Sequence, residues 1–450
     1  MAPSNHYDVI VAGAGLAGVC AATAAARTGA RTLVIEKEAF AGGVSTATLE
    51  TSICNFFHND RREPVVAGIP VELIDRMVQR GGVSENWHRH RGHVVFEVEI
   101  GKLCMDEIME EAGVDILYGT VIVDALTDGN RVRGVQLANR SGLRDVTADC
   151  IVDATGDADV AARAGIPLHI APNEHSILFR MGNVDADAII DYIRENPDQY
   201  ITGFDVSMSV EEFLAFYEDT GIGFFNHGSG RKMKIIQDAV QRGDIPEPWG
   251  PFIRMYAFQM LAVKPTQTLT INTGFFKLDE PDAQSLSDFI RRGRRLAHMV
   301  TDVFRRDFPG CKNAFVNATA SAPGLRRTRY LKTDYTMDRE MYDQGPVYDD
   351  RIGRGVVVGN KELRVTDKTF DISLRSVLPP EHDGLIIGSG RSASCVPAEL
   401  LRTMPVTMNI GQGAGTVAAL AAAGKTSIKN LTMADVHAEL RKQGANIGVR

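Results

Sequence analysis

The stretch DVIVAGAGLAGVCAA, residues 8–22, decides the fold of the N-terminal part of the chain. Residues 7–12 form a β-branched, apolar run that predicts a buried strand, and the Ala-rich residues 15–28 predict a helix. Gly13 permits the tight turn between them, Gly15 lets the backbone approach a pyrophosphate, and Gly18 allows close helix packing. Because a helix N-terminus attracts phosphate charge, the stretch predicts a dinucleotide-binding βαβ unit.

The next strand supports this interpretation. Residues 31–35 form a second apolar run that ends at Glu36, with Lys37 beside it. A carboxylate at this position accepts hydrogen bonds from the adenosine ribose hydroxyls and disfavours a ribose 2′-phosphate, so NADP is not expected. The alternative without a bound dinucleotide is a glycine turn in another kind of α/β protein. It explains the glycine loop but not the acidic residue at position 36. These residues alone leave FAD and NAD open.

Length and composition limit the functional classes. The chain has 450 residues, an apolar fraction of 44%, and a formal net charge of −8. It is long enough for two or three domains, and its basic residues look spread rather than clustered, so we expect a small-molecule substrate and neither nucleic acid nor membrane as partner. No C-x-x-C pair indicates a redox dithiol or zinc, and no metal site is expected. The N-terminus resembles no signal peptide, which predicts a cytoplasmic protein, with a homo-oligomer left open.

Changes in pattern along the chain predict its domain organisation. We expect a first part of a dinucleotide-binding domain over residues 1–165, with an active-site insertion at 44–95. A second, α+β substrate or cap domain follows at 166–320, because surface-helix patterns there alternate with a half-buried strand pattern. Residues 321–425 return to the first domain, and 426–450 are expected to form a C-terminal helix. The fold class is therefore α/β, with a discontinuous first domain.

Four further segments resemble one known family in the order in which that family has them. They read IEKEAFAGGVST (35–46), VDATGDADVAARAGIP (152–167), SAPGLRRTRYLKTDY (321–335), and IIGSGRSASC (386–395) followed by MPVTMNIGQGAGTVAALA (404–421). The chain resembles the FAD-dependent oxidoreductases with a Rossmann-like FAD-binding domain of the glutathione-reductase type. The resemblance implies FAD as the cofactor.

The resemblance also implies roles for individual residues. Gly42 and Gly43 pass the flavin diphosphate, the strand around Ile122 contacts the adenine, and a final helix points its N-terminus at the flavin pyrimidine. The remaining implied cofactor contacts are Ala154, Thr155 and Gly156 against the cofactor, Gly390 and Arg391 near the ribityl chain, and backbone N–H groups of Val406, Thr407 and Met408 at flavin O2 and N1. Since no second Gly-x-Gly-x-x-Gly unit is visible, a nicotinamide domain is not expected.

Two residues are the first candidates for catalysis. His58 follows the flavin-contacting glycines and is a candidate base, and Arg402 precedes the flavin-facing helix and is a candidate clamp for an anionic substrate. A hydrogen-bonded histidine and an internal salt bridge are the structural alternatives. The same clamp hypothesis extends to Arg89, Arg91, Arg326 and Arg329, whereas His88, His90 and His93 indicate mainly a polar loop. Aromatic residues at 213–225 and 256–260 are interpreted as core or as pocket wall.

These patterns predict a flavin-dependent oxidoreductase. We expect oxidation of a C–H bond in an alcohol, sugar, amine or hydroxy acid by hydride transfer to flavin N5, with reoxidation by O2 or another acceptor. Alternatives are a flavin monooxygenase, a tRNA-modifying flavoprotein, and a nucleotide-binding protein without redox activity.

Overall fold

The computed structural model describes residues 5–54, 56, 58–89, 92–171, 173–200, 208–225, 233–245, 253–278, 282–359 and 365–448. The strands, numbered along the chain, are β1 (His6–Ala12), β2 (Thr32–Ile35), β3 (Ser52–Ile53), β4 (Val94–Val95), β5 (Asp115–Leu117), β6 (Val121–Asp128), β7 (Arg131–Asn139), β8 (Gly142–Asp153), β9 (Leu168–Ile170), β10 (Asn173–Ser176), β11 (Leu178–Gly182), β12 (Ile222–Phe225), β13 (Ile253–Val263), β14 (Thr268–Leu278), β15 (Phe315–Thr319), β16 (Gly324–Leu325), β17 (Arg329–Leu331), β18 (Met337–Asp338), β19 (Arg351–Val358), β20 (Val365–Ser373), β21 (Leu385–Ile387) and β22 (Cys395–Val396).

The α-helices are α1 (Leu16–Arg27), α2 (Val44–Ala47), α3 (Ile69–Gln79), α4 (Val98–Glu111), α5 (Asp159–Arg163), α6 (Ala186–Glu195), α7 (Val210–Thr220), α8 (Lys234–Gln241), α9 (Ala283–Asp307), α10 (Arg339–Gln344), α11 (Met404–Ala423) and α12 (Met433–Lys442). Short 3₁₀ turns occupy Trp87–Arg89, Pro197–Gln199, Leu374–Ser376, Ala398–Leu400 and Ile428–Asn430.

A parallel sheet forms the centre of the first domain. Its order is β5-β2-β1-β8, and β21 pairs in parallel with the last residues of β8. The first half of β8 instead continues into an antiparallel meander with β7 and β6. The β1 residues from Val9 to Ala12 are fully buried, as expected for a strand covered on both faces. The architecture confirms the predicted Rossmann-like α/β domain.

Two helices from opposite ends of the sequence pack against each other on this sheet. Glycines on α11 face α1, because a Cβ on Gly411 would lie 2.1 Å from the Ala17 carbonyl oxygen, and one on Gly415 would lie 2.1 Å from that of Ala21. Small residues on both helices therefore allow close backbone contact. The chain returns to the first domain in this way, so that domain is discontinuous in sequence.

The second domain is an antiparallel sheet covered by helices. Its strands run in the order β12-β13-β14-β10-β16, with β11 bridging β14 and β15. Side chains from α6, α7, α8 and α9 form its core together with Phe179, Phe213 and Phe225. The opposite face contributes Phe216, Phe224 and Leu261, which pack on Val95 of the 44–95 segment. The predicted α+β character of this domain is confirmed.

One local prediction differs from the structure. The expected C-terminal helix over 426–450 is wrong in extent, because α12 occupies only Met433–Lys442. Gly444 has φ +77, which ends the helix, and the following tail places the Ile447 carbonyl against the Arg351 guanidinium. The β19–β20 hairpin lies between the segments at 321–335 and 386–395, where the sequence analysis assigned no element.

Candidate cofactor and active site

The glycine loop after β1 has a conformation that only glycine accepts at its ends. Gly13 has φ +92, and a Cβ there would lie 2.9 Å from the Ala154 carbonyl oxygen. A Cβ on Gly18 would lie 1.9 Å from the Gly13 carbonyl oxygen. Gly15 precedes α1 in an extended conformation, and a Cβ there would meet only the Gly43 Cα, at 3.9 Å. The loop is thus tightly packed on its inner side and open at Gly15.

A second glycine loop, after β2, closes the other side of this opening. The Gly42 N–H donates a hydrogen bond to the Ala14 carbonyl at 2.7 Å. Gly43 has φ +55, and a Cβ there would lie 3.0 Å from the Gly15 Cα. Backbone surfaces without side chains therefore face each other at the N-terminus of α1, where a diphosphate is favoured.

The carboxylate of Glu36 lies beside the same loop. It is buried, and its two oxygens accept hydrogen bonds from the N–H groups of Ala14 at 2.8 Å and Glu38 at 2.9 Å. Each oxygen keeps acceptor capacity for a ribose hydroxyl. The two glycine loops and Glu36 border a groove, called the groove below. The N–H of Thr120 donates to the Glu36 carbonyl, which brings the half-buried Ile122 near the Glu36 end of this groove. Lys37 is exposed.

The segment after β8 joins the loop to two later parts of the chain. The Ala154 N–H donates to the Ala12 carbonyl, and Thr155 donates to the buried Asp153 carboxylate at 2.7 Å. Burial raises the pKa of Asp153. A Cβ on Gly156, at φ +83, would lie 3.2 Å from the Arg391 guanidinium. Gly156 therefore makes room for Arg391.

Arg391 is held by an ion pair that the sequence did not reveal. Its guanidinium donates to the Asp157 carboxylate at 2.6 Å, and both side chains are largely buried. Thr328 donates to the same carboxylate oxygen at 2.6 Å. Asp157 thus connects the segments at 152–167, 321–335 and 386–395. The sequence contained the signal, since Asp157 directly follows Ala-Thr-Gly, but not its partners.

Helix α11 points its N-terminus into the same groove. A Cβ on Gly390 would lie 2.8 Å from the Thr407 hydroxyl oxygen, so this glycine touches the first turn. The Thr407 N–H donates to the Thr403 carbonyl at 2.9 Å. The amide of Met408 belongs to the same i to i−4 ladder. The prediction that all three N–H groups are available to the flavin is therefore wrong for Thr407 and Met408. Val406 remains a candidate donor, because only the amides of the first turn lack an acceptor within the helix.

A small cavity of about 20 Å³ adjoins the N-terminus of α11. The 44–95 segment, the β19 hairpin strand and the first turn of the helix each contribute to it. Its lining consists of Cys54, Val66, Tyr342, Val356, Val358, Thr403, Pro405 and Val406. The Tyr342 hydroxyl already donates to the Val356 carbonyl at 3.0 Å and accepts from the Val358 N–H at 2.9 Å. The cavity is consequently mostly apolar, and sequence reasoning missed all of its residues except Val406.

His58 lies near this cavity by chain geometry. It bridges to Pro64 in an antiparallel pair, and Val66 lines the cavity two residues later. The ring is buried. Burial lowers the pKa of His58, and the positive charges of Arg62 and His88 lower it further. Arg402 is half-buried and directly precedes Thr403, the N-cap of α11.

The other candidate side chains have different surroundings. His88 is exposed, whereas the buried His93 stacks on Phe224 with ring centroids 5.8 Å apart. Arg329 pairs with Asp159, a salt bridge within the fold. His90 and Arg91 lie outside the described residues, as do the side chains of Tyr256 and Phe258. Among the residues that the structure describes, no group of three or more His, Cys, Asp or Glu side chains forms a metal site.

Arg327 lies in sequence between Arg326 and Arg329, which were candidates for binding an anionic substrate, and its side chain is buried. Its guanidinium donates to the carbonyls of Cys395 at 2.7 Å and Ala393 at 2.9 Å, and lies 3.6 Å from the Tyr330 ring centroid. Arg327 therefore anchors the 386–395 segment from behind. A larger cleft of about 860 Å³, lined among others by Tyr335, Tyr348 and Arg375, shares no residue with the groove.

The groove fits FAD by its shape and its donors. The facing glycine loops leave a passage that a Cβ on Gly43 would obstruct, and Glu36 keeps free acceptors at one end. Helix α11 presents its N-terminus at the other end, where the dipole favours negative charge. Within the described part of the chain, no helix is long and apolar enough to span a membrane.

Comparison with known proteins agrees with this geometry. The chain is 32% identical over 200 residues to a digeranylgeranylglycerophospholipid reductase of Picrophilus torridus, which covers 40% of this chain and 48% of that protein. It is 34% identical over 147 residues to a probable electron transfer flavoprotein-quinone oxidoreductase of Escherichia coli, covering 29% of this chain and 33% of the relative. The matched parts thus span half or less of these two relatives.

A solved structure and a family model also match. A geranylgeranyl bacteriochlorophyll reductase-like protein of Thermoplasma acidophilum superposes with a TM-score of 0.47 and 15% identity, covering 98% of this chain and 84% of the other. The model of the FAD dependent oxidoreductase family matches residues 8–440. That match covers nearly the whole sequence, including the glycine loops, the Asp157 junction and the flavin-facing helix. The chain therefore belongs to the FAD-dependent oxidoreductase family, with FAD as its cofactor.

Proposed function

We propose that this chain oxidises a C–H bond of a small organic substrate, an alcohol, sugar, amine or hydroxy acid with an apolar part. When bound, FAD supplies the redox chemistry, taking up the hydride at N5 and passing electrons to O2 or another acceptor. The observation that carries the proposal is the position of a small, mostly apolar cavity of about 20 Å³ at the N-terminus of α11. A cavity of this size holds about one small group, so it provides apolar surroundings for one substrate atom and not a binding site for the whole substrate.

His58 is assigned the role of proton acceptor. Oxidation of an alcohol or amine releases a proton as well as a hydride, so a base must be near the reacting carbon. The lowered pKa of His58 keeps the imidazole neutral at neutral pH, and a neutral ring nitrogen accepts a proton. Its placement on the loop that ends at Val66 supports this role.

Arg402 is assigned to orient an anionic group of the substrate. A guanidinium pairs with a carboxylate through two parallel hydrogen bonds, which determine orientation as well as binding. Arg402 precedes the α11 N-cap, so a carboxylate held there would lie beside the cavity. This assignment favours a hydroxy acid or amino acid over a neutral sugar.

The amide at the start of α11 contributes charge stabilisation. The N–H of Val406 belongs to the first turn, where amides lack helical acceptors and the helix dipole is positive. A negative charge that develops near this turn during the reaction is stabilised by that dipole. Pro405 contributes no N–H to this turn, and its ring lines the cavity.

The proposal is tested by anaerobic reduction of the FAD-loaded protein. Alcohols, sugars, amines and hydroxy acids are added in turn, and the visible flavin absorbance is followed. We expect bleaching by one class, slower in His58→Ala than in the matched control His298→Ala, whose histidine is exposed on α9 of the second domain. If no class bleaches the flavin, while NAD(P)H is consumed together with substrate hydroxylation, the monooxygenase alternative replaces this proposal. Tight tRNA binding at moderate salt would indicate the tRNA-modifying alternative.

A second candidate, reduction of a carbon–carbon double bond, is favoured by the names of the matched relatives. Several are digeranylgeranylglycerophospholipid reductases. The reverse experiment distinguishes it: the protein is first reduced with dithionite, and reoxidation by an isoprenoid alkene without oxygen is measured. Reoxidation by the alkene, together with no bleaching by any alcohol or amine, would support the reductase.

A further inference from the structure

The solvent face of α9 carries a compact group of arginines. The segment Arg-Arg-Gly-Arg-Arg at residues 291–295 lies in the middle of this 25-residue helix, and all four arginines are exposed. Gly293 is buried, since a Cβ there would lie 2.0 Å from the Ile177 Cδ1 atom of the sheet beneath. Because Gly293 has no side chain, the helix packs closely against the sheet at this point. The arginines on either side of the glycine face solvent.

Two arginines of this group, Arg294 and Arg295, keep their charge without an acidic partner among the described residues. Arg291 pairs with Asp288 at 2.5 Å. Arg294 and Arg295 have no hydrogen-bond or ion-pair partner among the residues that the structure describes. His298 is exposed one turn further on, and the next carboxylate, Asp302, lies 3.9 Å from Arg305. Two neighbouring guanidinium groups are thus left with all their donors available.

The fold itself gains nothing from this arrangement. Arg291 is separated from Arg294 and Arg295 by three and four residues, the spacing at which like charges on a helix repel each other. The chain as a whole carries a net charge of −8, so this basic group is opposite in sign to the chain's net charge. The even spread of basic residues expected from the sequence does not hold for this segment.

We propose that Arg291, Arg294 and Arg295 form a docking surface for an acidic face of a partner protein. Arginine is the residue best suited to such contacts, because its planar fork pairs with carboxylates and it is enriched in protein interfaces. Opposite charge on two protein faces accelerates their encounter and sets their orientation.

The extent and surroundings of the group favour a protein over other polyanions. The seven helical steps from Arg291 to His298 extend about 10 Å. This length matches a few carboxylates on a protein face and is about a third of one turn of duplex DNA. Among the exposed side chains of α9, none larger than alanine is apolar, so the helix has no anchor for insertion into a membrane.

The test uses the FAD-loaded full chain and a fluorescent oligoglutamate peptide as probe. Binding is measured by fluorescence anisotropy at low and at physiological salt. The variant Arg294→Gln/Arg295→Gln should weaken binding about tenfold, since each exposed charge contact contributes about threefold in affinity. The matched control Arg140→Gln/Lys425→Gln removes two exposed cations of the first domain that have no ion-pair partner among the described residues. It should change binding less than about twofold.

Two further probes decide between classes of partner. An oligothymidylate of the same charge and phosphatidylserine vesicles are tested with the same proteins. Stronger binding of either than of the peptide, lost in the Arg294/Arg295 variant, would overturn the proposal in favour of a nucleic acid or a membrane. Equal affinity of the wild type, the variant and the control for the peptide would also refute it. Circular dichroism and flavin content verify that the variants are folded.

Discussion

Substitution of Gly415 by alanine tests how closely α11 must pack on α1. The added Cβ would lie 2.1 Å from the Ala21 carbonyl oxygen, about 1.3 Å short of an ordinary 3.4 Å contact. The oxygen belongs to a helix backbone and cannot rotate away, so the two helices must separate. Such overpacking costs about 1–3 kcal/mol and occasionally more. The higher helix propensity of alanine returns about 1 kcal/mol.

The expected net result is a loss of about 1 kcal/mol, or about 2 °C in the unfolding temperature of a unit this size. Thermal release of FAD, followed by flavin fluorescence, measures it, and FAD affinity should fall because the N-terminus of α11 shifts. The control is Gly424→Ala at the end of the same helix, where φ is −77 and the nearest atom is the Thr426 methyl at 3.3 Å. Unchanged stability and FAD affinity in Gly415→Ala would refute the close-packing argument.

Three further predictions concern the groove. Glu36→Ala should weaken FAD binding about 10- to 100-fold, because hydrogen bonds to a charged group contribute about 1.5–3 kcal/mol; titration of the apoprotein measures this, and an unchanged Kd would contradict the ribose assignment. Arg391→Leu leaves the Asp157 carboxylate without its cation and should lower the unfolding free energy in urea by about 3 kcal/mol, whereas a change below about 1 kcal/mol would show that the pair is dispensable. For His58, the lowered pKa means that the base is lost by protonation below pH ~6.5. Wild-type flavin reduction should therefore decline on the acid side, and His58→Ala should lack that decline.

Local chemistry made the cofactor groove predictable from sequence. Gly13, Gly18 and Glu36 lie within one βαβ unit, and their backbone requirements and charge follow from positions a few residues apart. The structure brings the glycine loops together as expected and keeps the Glu36 carboxylate beside them. Such short-range features are readable because turn geometry and helix capping depend on neighbours in sequence.

The active-site surroundings were less predictable. Asp157, Thr328 and Arg391 are widely separated in sequence, yet they form one hydrogen-bonded junction. The cavity combines Cys54 with Tyr342 and with the start of α11. Which N–H groups of α11 can bind a ligand depends on the residue at which its first turn begins. The sequence segment at 404–421 did not specify that residue.

The amino-acid sequence alone determined the dinucleotide-binding unit, the family and FAD, because each rests on consecutive residues whose steric and charge requirements are local. Only the tertiary structure decided which distant side chains pair, which histidine is buried, and that Arg294 and Arg295 of α9 face solvent without an ion-pair partner among the described residues. Those properties arise from long-range packing, where a residue's exposure and partners depend on segments far away in the chain, and no local pattern encodes them.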